Sequence, residues 1–190
     1  VMSRRAHPRL RATRAVMVTV AVLGLVLDRV TKHWALHALS SHDHQIIPGW
    51  LSLHVVYNSG AAFSMGTSFT IGLSCLSIIA LAFVLVWVFP RARGRLTSLA
   101  SGLIAAGIAG NLLDRLLREP GPMRGTVVDF IAVRYFAVFN VADVCITSAA
   151  ILFIWWAVRS DRAVERAVKR ADAVDLARTG GASGTAEEGS

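Results

Sequence analysis

Four apolar runs, Ala15 to Trp34, Ile71 to Phe89, Leu96 to Leu117 and Val141 to Val158, dictate what this chain can fold into. Each is close to the ~20 residues that an α-helix needs to cross the hydrocarbon core of a bilayer. A water-soluble domain of 190 residues, 54% of them hydrophobic, has too little interior to hide four such runs. The expected fold is therefore an all-α membrane protein with four transmembrane helices. The first run follows Arg4, Arg5, Arg9, Arg11 and Arg14, as the apolar part of a cleaved signal peptide would. Asp28 and Lys32 late in that run, and the lack of a small-residue cleavage motif after it, favour a retained helix.

Basic residues set the expected orientation, because cytoplasmic flanks carry the excess of Lys and Arg. Arginines precede the first run, Arg91, Arg93 and Arg95 separate the second from the third, and Arg159, Arg162, Arg166, Lys169 and Arg170 follow the fourth. Both termini are thus expected in the cytoplasm, with outer loops over about 35–69 and 118–139. The loop carrying Arg118, Arg124 and Arg134 is placed outside by helix counting. Three regions result: a basic N-terminal segment at 1–14, a membrane domain at 15–158, and a basic, then disordered, tail at 159–190. Thr179 to Ser190 has the Gly, Ser, Ala and Glu content of a disordered end, while 161–178 can extend the last helix.

The formal charge of +8 does not point to nucleic acid, since the basic residues flank apolar runs and are not interleaved with stacking aromatics. Cys75 and Cys145 lie inside apolar runs and read as small core residues, not a redox or metal pair. In the first outer loop, Gln45 to Trp50 ends in turn residues and Leu51 to Tyr57 has strand composition, so a small β-sheet is expected there. The small residues of Asn58-Ser59-Gly60-Ala61-Ala62 would let another chain approach closely.

Depth sorts the remaining polar residues. Asp28 and Lys32 fall in the outer third of the first helix, Asn111, Asp114 and Arg115 in the outer third of the third, and Asn140 and Asp143 at the outer start of the fourth. Charges at such depth are costly, so they face the bundle interior and either pair or serve a function. One reading is an interhelical clamp: Asp28 with Lys32 at i, i+4, and Asn111, Asp114 and Arg115 as a second patch, with Arg29 snorkelling outward. Asp143 and Asp129, the latter within Val127-Val128-Asp129-Phe130-Ile131, have no obvious local partner. Two poorly solvated carboxyls side by side share a proton, as in aspartic proteases. The plainer alternatives are a helix cap for Asp143 and an exposed loop charge for Asp129.

Other chemistries fit less well. No HExxH, Cys/His cluster or G-x-S-x-G elbow occurs, and His33, His37, His42, His44 and His54 show no shared face for a metal. A proton- or ion-coupled transporter would want ionisable residues in the inner halves, but Val16 to Leu25 and Leu99 to Ala109 have none. A non-catalytic adaptor binding a partner by strand addition to the outer sheet stays open.

Five short pieces resemble the lipoprotein signal peptidase (signal peptidase II) family of membrane aspartyl peptidases: Asp28-Arg29-Val30-Thr31-Lys32, Asn58 to Ser64, Gly110-Asn111-Leu112-Leu113-Asp114-Arg115, Val127 to Phe130, and Phe139-Asn140-Val141-Ala142-Asp143. They follow one another in family order from residue 28 to 143. The resemblance implies that Asp129 and Asp143 are a catalytic dyad. It also implies that Asp28, Lys32, Asn58, Gly60, Asn111, Arg115, Asn140 and Ala142 support the site or touch substrate. Asp114 is expected to be structural, satisfied locally by Asn111 and Arg115. The implied substrate is a diacylglyceryl-modified prolipoprotein cut just before its lipidated cysteine, at the outer face of a bacterial inner membrane. The implied enzyme is a multi-pass monomer in contact with membrane lipid, needing neither metal nor organic cofactor.

Overall fold

A computed structural model describes residues 7–39, 43–60 and 66–184 of the chain. Arg4, Arg5, His42, Ala61 to Ser64 and residues 185–190 lie outside the described residues. In chain order the elements are α1 (His7–Ala38), β1 (His44–Ile47), β2 (Leu51–Asn58), α2 (Gly66–Phe83), a π-helical turn (Val84–Val88), α3 (Phe89–Arg91), α4 (Arg95–Leu117), β3 (Val127–Val133) and α5 (Val141–Gly184). Two compact units divide the chain, residues 1–152 and 153–190, the second being the far stretch of α5 and the tail.

Three of the expected spans are helices long and apolar enough to cross a membrane: Thr70–Arg91, Arg95–Leu117 and Val141–Arg162. The apolar stretch of α1 is bounded by Arg14 on one side and by Asp28, Arg29 and Lys32 on the other. Its buried positions, Met17, Asp28, Lys32 and Ala35, recur at helical spacing on one face, and Leu39, just past its end, is buried too. Val22, Leu23, Val26, Leu27 and Val30 are all exposed on the other. Polar inside and apolar outside inverts the pattern of a helix facing water, as a hydrocarbon solvent demands. Cys75, expected in the core, is exposed on α2 among outward apolar residues; Cys145 is buried.

Helix α4 is the spine. It packs along α1 where Gly102 leaves no room for a side chain: a Cβ there would come within 2.7 Å of the Met17 carbonyl oxygen and 2.8 Å of Val20 Cβ. At Gly107 a Cβ would run into the Ala142 carbonyl oxygen and come within 2.5 Å of Ile146 Cγ1 of α5. Small residues let helix backbones approach where lipid offers no hydrophobic drive to association.

The β-sheet is antiparallel in the order β1-β2-β3. Ile47-Pro48-Gly49-Trp50 forms the expected turn between β1 and β2. Pro48 presets the second position, Gly49 takes φ 72°, and the Trp50 N–H donates to the Ile47 carbonyl at 3.0 Å. Sequence reading confined the sheet to the first outer loop, but its third strand comes from the second outer connection. Val127 to Val133 is a largely β-branched and aromatic run with Asp129 as its one charge, and a buried strand need not alternate. β2 and β3 pair Leu53 with Ile131 and then Val56 with Asp129, so β2 carries one extra residue in a bulge. Phe130, 4% exposed, joins Ala35 and Leu39 in a cluster flanked by Leu53, Val55, Ile131 and Val141, which seats the sheet on the end of α1.

Gly107→Val should overfill the α4–α5 contact and lower stability by about 1–3 kcal/mol. The loss would be read as a fall in melting temperature in detergent; an unchanged melting temperature would mean that this contact is not close.

Candidate active site

Lys32 is fully buried and sits among three acceptors: Asp28 Oδ2 at 2.9 Å, Asp114 Oδ2 at 2.8 Å and Asn111 Oδ1 at 3.1 Å. The contact to Asp28 has ion-pair distance but not hydrogen-bond direction, and leaves Oδ2 without a directed donor. Asp28, also fully buried, uses Oδ1 to accept the Ala142 N–H at 2.9 Å, one of the first N–H groups of α5 with no partner inside the helix. The two patches expected on separate helices are therefore one network joined through Lys32.

Asp114 is fully buried, and its partners are not those expected. Arg29 Nη1 donates to Oδ1 at 2.6 Å, Arg118 Nε donates to the same oxygen at 2.8 Å, and Lys32 holds Oδ2. Arg29 thus turns inward and does not snorkel outward. Arg118 was findable at i+4 from Asp114, whereas nothing local announces Arg29. Arg115 is not among its partners: the Nε and Nη1 of Arg115 are buried without a hydrogen-bond partner.

Three asparagines connect this network to the two remaining carboxyls. Asn58 Oδ1 accepts the Gly60 N–H at 2.7 Å, with Gly60 at φ 81°, which turns Asn58 Nδ2 toward Asp129 Oδ2 at 2.9 Å. Asn140 caps α5. Its Oδ1 accepts the Asp143 N–H at 3.0 Å while Asp143 Oδ2 accepts the Asn140 N–H at 3.1 Å, a reciprocal capping box. The amide nitrogen of Asn140 is then free to donate to Asp129 Oδ1 at 2.6 Å and to Asn111 Oδ1 at 3.1 Å. Asn111, whose oxygen receives Lys32 and Asn140, donates its Nδ2 to Asp143 Oδ1 at 2.8 Å. Each amide orientation is fixed by its neighbours.

Asp129 and Asp143 are thus bonded by one residue, Asn140, through its side chain and its backbone. Asp129, 2% exposed, lies on β3 between Val128 and Phe130 and is not an exposed loop charge. Asp143 is half-buried and also caps its helix, so the plainer reading of it is correct as far as it goes. Burial pushes the Asp129 carboxyl up to about 6, the amides of Asn58 and Asn140 oppose that rise, and the negative charge of Asp143 adds to it. The residues expected to gather here do so, Gly60 through Asn58 and Ala142 through Asp28. Sequence reading missed Arg29 and Arg118, and it missed the buried hydroxyls of Thr70 and Ser74 on α2, which bond the Ser59 and Met123 carbonyls. Among the described residues no three metal-ligating side chains converge; the rings of His33 and His37 meet edge to face, their centroids 4.4 Å apart.

The family described as Signal peptidase (SPase) II matches residues 20–159. A lipoprotein signal peptidase of Mycolicibacterium smegmatis is 42% identical over 141 residues, 73% of this chain and 59% of that protein. That of Streptomyces coelicolor is 41% identical over 145 residues, 74% of this chain and 69% of its own length. That of Leifsonia xyli is 38% identical over 156 residues, 80% and 72%. The chain therefore spans about three fifths of the Mycolicibacterium protein. Two solved structures of a bacterial membrane enzyme, obtained by the in meso method at 2.3 and 1.9 Å, superpose with TM-scores of 0.67 and 0.65 at 27% and 28% identity. They cover 77% and 75% of this chain and 90% and 92% of theirs. With several helices fit to cross a bilayer and a family match that begins within α1 and ends within α5, this multi-pass membrane protein belongs to the signal peptidase II family.

Proposed function

We propose that the chain is a membrane aspartic endopeptidase that removes the signal peptide from diacylglyceryl-modified prolipoproteins, cutting just before the lipidated cysteine. Asp129 and Asp143 form its catalytic dyad. The observation that carries this reading is the bridging by Asn140, which bonds both carboxyls and keeps them in one site. In the proposed topology α1 is the fourth span, both termini are cytoplasmic, and the dyad lies near the outer face of the inner membrane. A substrate anchored by its lipid and signal helix then arrives sideways, with its scissile bond at the level of the carboxyls. No second copy of the chain is needed to complete the site.

The chemistry needs one carboxylate and one carboxylic acid. The carboxylate takes a proton from water, whose oxygen attacks the scissile carbonyl carbon, while the acid gives its proton to the carbonyl oxygen. Collapse of the tetrahedral intermediate breaks the C–N bond. The proton gained from water passes to the departing cysteine nitrogen, and the hydroxyl proton returns to the other carboxylate, so both groups regain their starting states. Asp129, raised to about 6, is the member that carries the shared proton.

A transporter is disfavoured at the other end of α4. There the buried hydroxyls of Thr97, Ser98 and Ser101 bond to carbonyls of the preceding turn and offer no path for ions.

Asp129→Asn and Asp143→Asn should each lower cleavage of a diacylglyceryl prolipoprotein by about 10²–10⁴-fold while the protein stays folded. Undiminished cleavage in either would remove that residue from the dyad. Asp114→Asn should instead lose stability, by about 3–5 kcal/mol, because it strands Lys32, Arg29 and Arg118; a melting temperature equal to wild type would contradict the role given to Asp114.

The pH dependence follows from Asp129. Its folded pKa of about 6 lies above the ordinary 3.8, so its contribution to folding is full below pH 3.8 and is lost as pH rises through about 6. The melting temperature of Asp129→Asn should therefore climb relative to wild type between those limits. Cleavage by wild type should fall as pH rises through a midpoint near pH 6, where Asp129 loses the proton it donates, and Asn58→Ala, which removes a donor to the carboxylate, should move that midpoint upward. A midpoint that ignores Asn58 would show that another group controls the profile.

A further inference from the structure

Helix α2 contributes no residue to the expected site, yet it carries two buried hydroxyls, Thr70 and Ser74, one helical turn apart. Ser74 Oγ lies 2.9 Å from the Thr70 carbonyl of its own helix and 2.8 Å from the Met123 carbonyl in the connection before β3. Thr70 is different. Its Oγ1 donates at 2.6 Å to the carbonyl of Ser59, outside its own helix and eleven residues back in the chain. Thr70 is 3% exposed, and in a membrane-facing interior a hydroxyl that leaves this acceptor has no water to take its place.

Ser59 sits between the two residues that orient the Asp129 carboxyl from the β2 side. Asn58 Oδ1 receives the Gly60 N–H, and Asn58 Nδ2 is thereby aimed at Asp129 Oδ2. The Ser59 carbonyl belongs to the peptide whose N–H is that of Gly60. Holding this carbonyl fixes the plane of that peptide, because its six atoms are coplanar, and so fixes the direction in which the Gly60 N–H points.

We propose that Thr70 is a positioning residue for the peptidase reaction, which acts through the Ser59–Gly60 peptide and the Asn58 amide to hold a hydrogen-bond donor on Asp129. This rests on the dyad reading above. Thr70 reaches Asp129 only through this chain of contacts, and its effect is on the proton affinity of the carboxyl. When the Thr70 hydroxyl is removed, the peptide plane is released, the Asn58 amide spends less time on the carboxylate, and the charged form of Asp129 loses stabilisation.

The test is the pH profile of prolipoprotein cleavage by the full-length protein in detergent, comparing wild type with Thr70→Val, Thr70→Ser, Ser74→Ala, Asn58→Ala and Asp129→Asn. Thr70→Val, nearly equal in shape, should move the midpoint of the alkaline limb upward by about half a pH unit, in the same direction as Asn58→Ala. Thr70→Ser, which keeps the hydroxyl, should restore the wild-type midpoint. Ser74→Ala loses a comparable buried bond on the same helix and should lower the melting temperature without moving the midpoint. An unmoved midpoint in Thr70→Val would overturn the proposal, as would an equal shift in Ser74→Ala. If Asp129→Asn cleaves normally, the dyad reading fails first; if it is inactive and Asn58→Ala shifts the midpoint while Thr70→Val does not, only the role of Thr70 falls.

Discussion

A lysine ammonium withdrawn from all solvent is the constraint around which this interior is arranged. An ion of that size costs several kcal/mol to bury even after relaxation, so Lys32 needs anions and dipoles within contact distance. It has Asp28 one turn away on its own helix and Asp114 and Asn111 on α4. Asp114 in turn draws in Arg29 and Arg118, and Asp28 reaches the start of α5 at Ala142. One buried charge thereby ties three helices at one depth, and the glycines of α4 let their backbones come close enough for short side chains to meet. Such a network is weak evidence for stability by itself, since a well-packed apolar core can do as well. Its geometric effect is to hold Asn111 and Asn140 rigidly enough to aim amide donors at Asp143 and Asp129.

Much of this was legible in the sequence. The ends of Leu96 to Leu117 and the start of Val141 coincide with α4 and α5 to within a residue, because an abrupt change from charged to apolar composition marks them. The convergence of Asp28, Lys32, Asn111, Asp114, Asn140 and Asp143 on one layer followed from helix direction alone. Pro48-Gly49 gave the turn, since only glycine sits easily at the positive φ it needs. Ala142 was nameable only through the family resemblance, because what it supplies is a backbone N–H that no side-chain chemistry reveals.

What was hidden is long-range pairing. Asp114 lies beside Asn111 and Arg115 in sequence, and proximity along the chain made them its expected partners; its actual partners include Arg29, 85 residues away. β3 was hidden because a short apolar run with one charge reads equally as membrane-surface loop or as buried strand, and only β2 decides between them. The Thr70 hydroxyl was hidden more deeply still. A threonine in an apolar helix commonly bonds to its own preceding turn, and nothing local says that this one reaches to Ser59 instead.

The bulge in β2 has a consequence that is a matter of parity. Leu53 faces Ile131, and in an unbroken antiparallel ladder Asp129 would then face Val55. Asn58, an odd number of residues from Val55, would point to the opposite side of the sheet. The extra residue makes Val56 the partner of Asp129, and Asn58, two residues on, comes to the same side with its amide within reach. Between Leu53 and Val56 the identity of a residue therefore matters less than the count. A substitution there changes a side chain, whereas the loss or gain of a single residue would turn every group beyond it inside out.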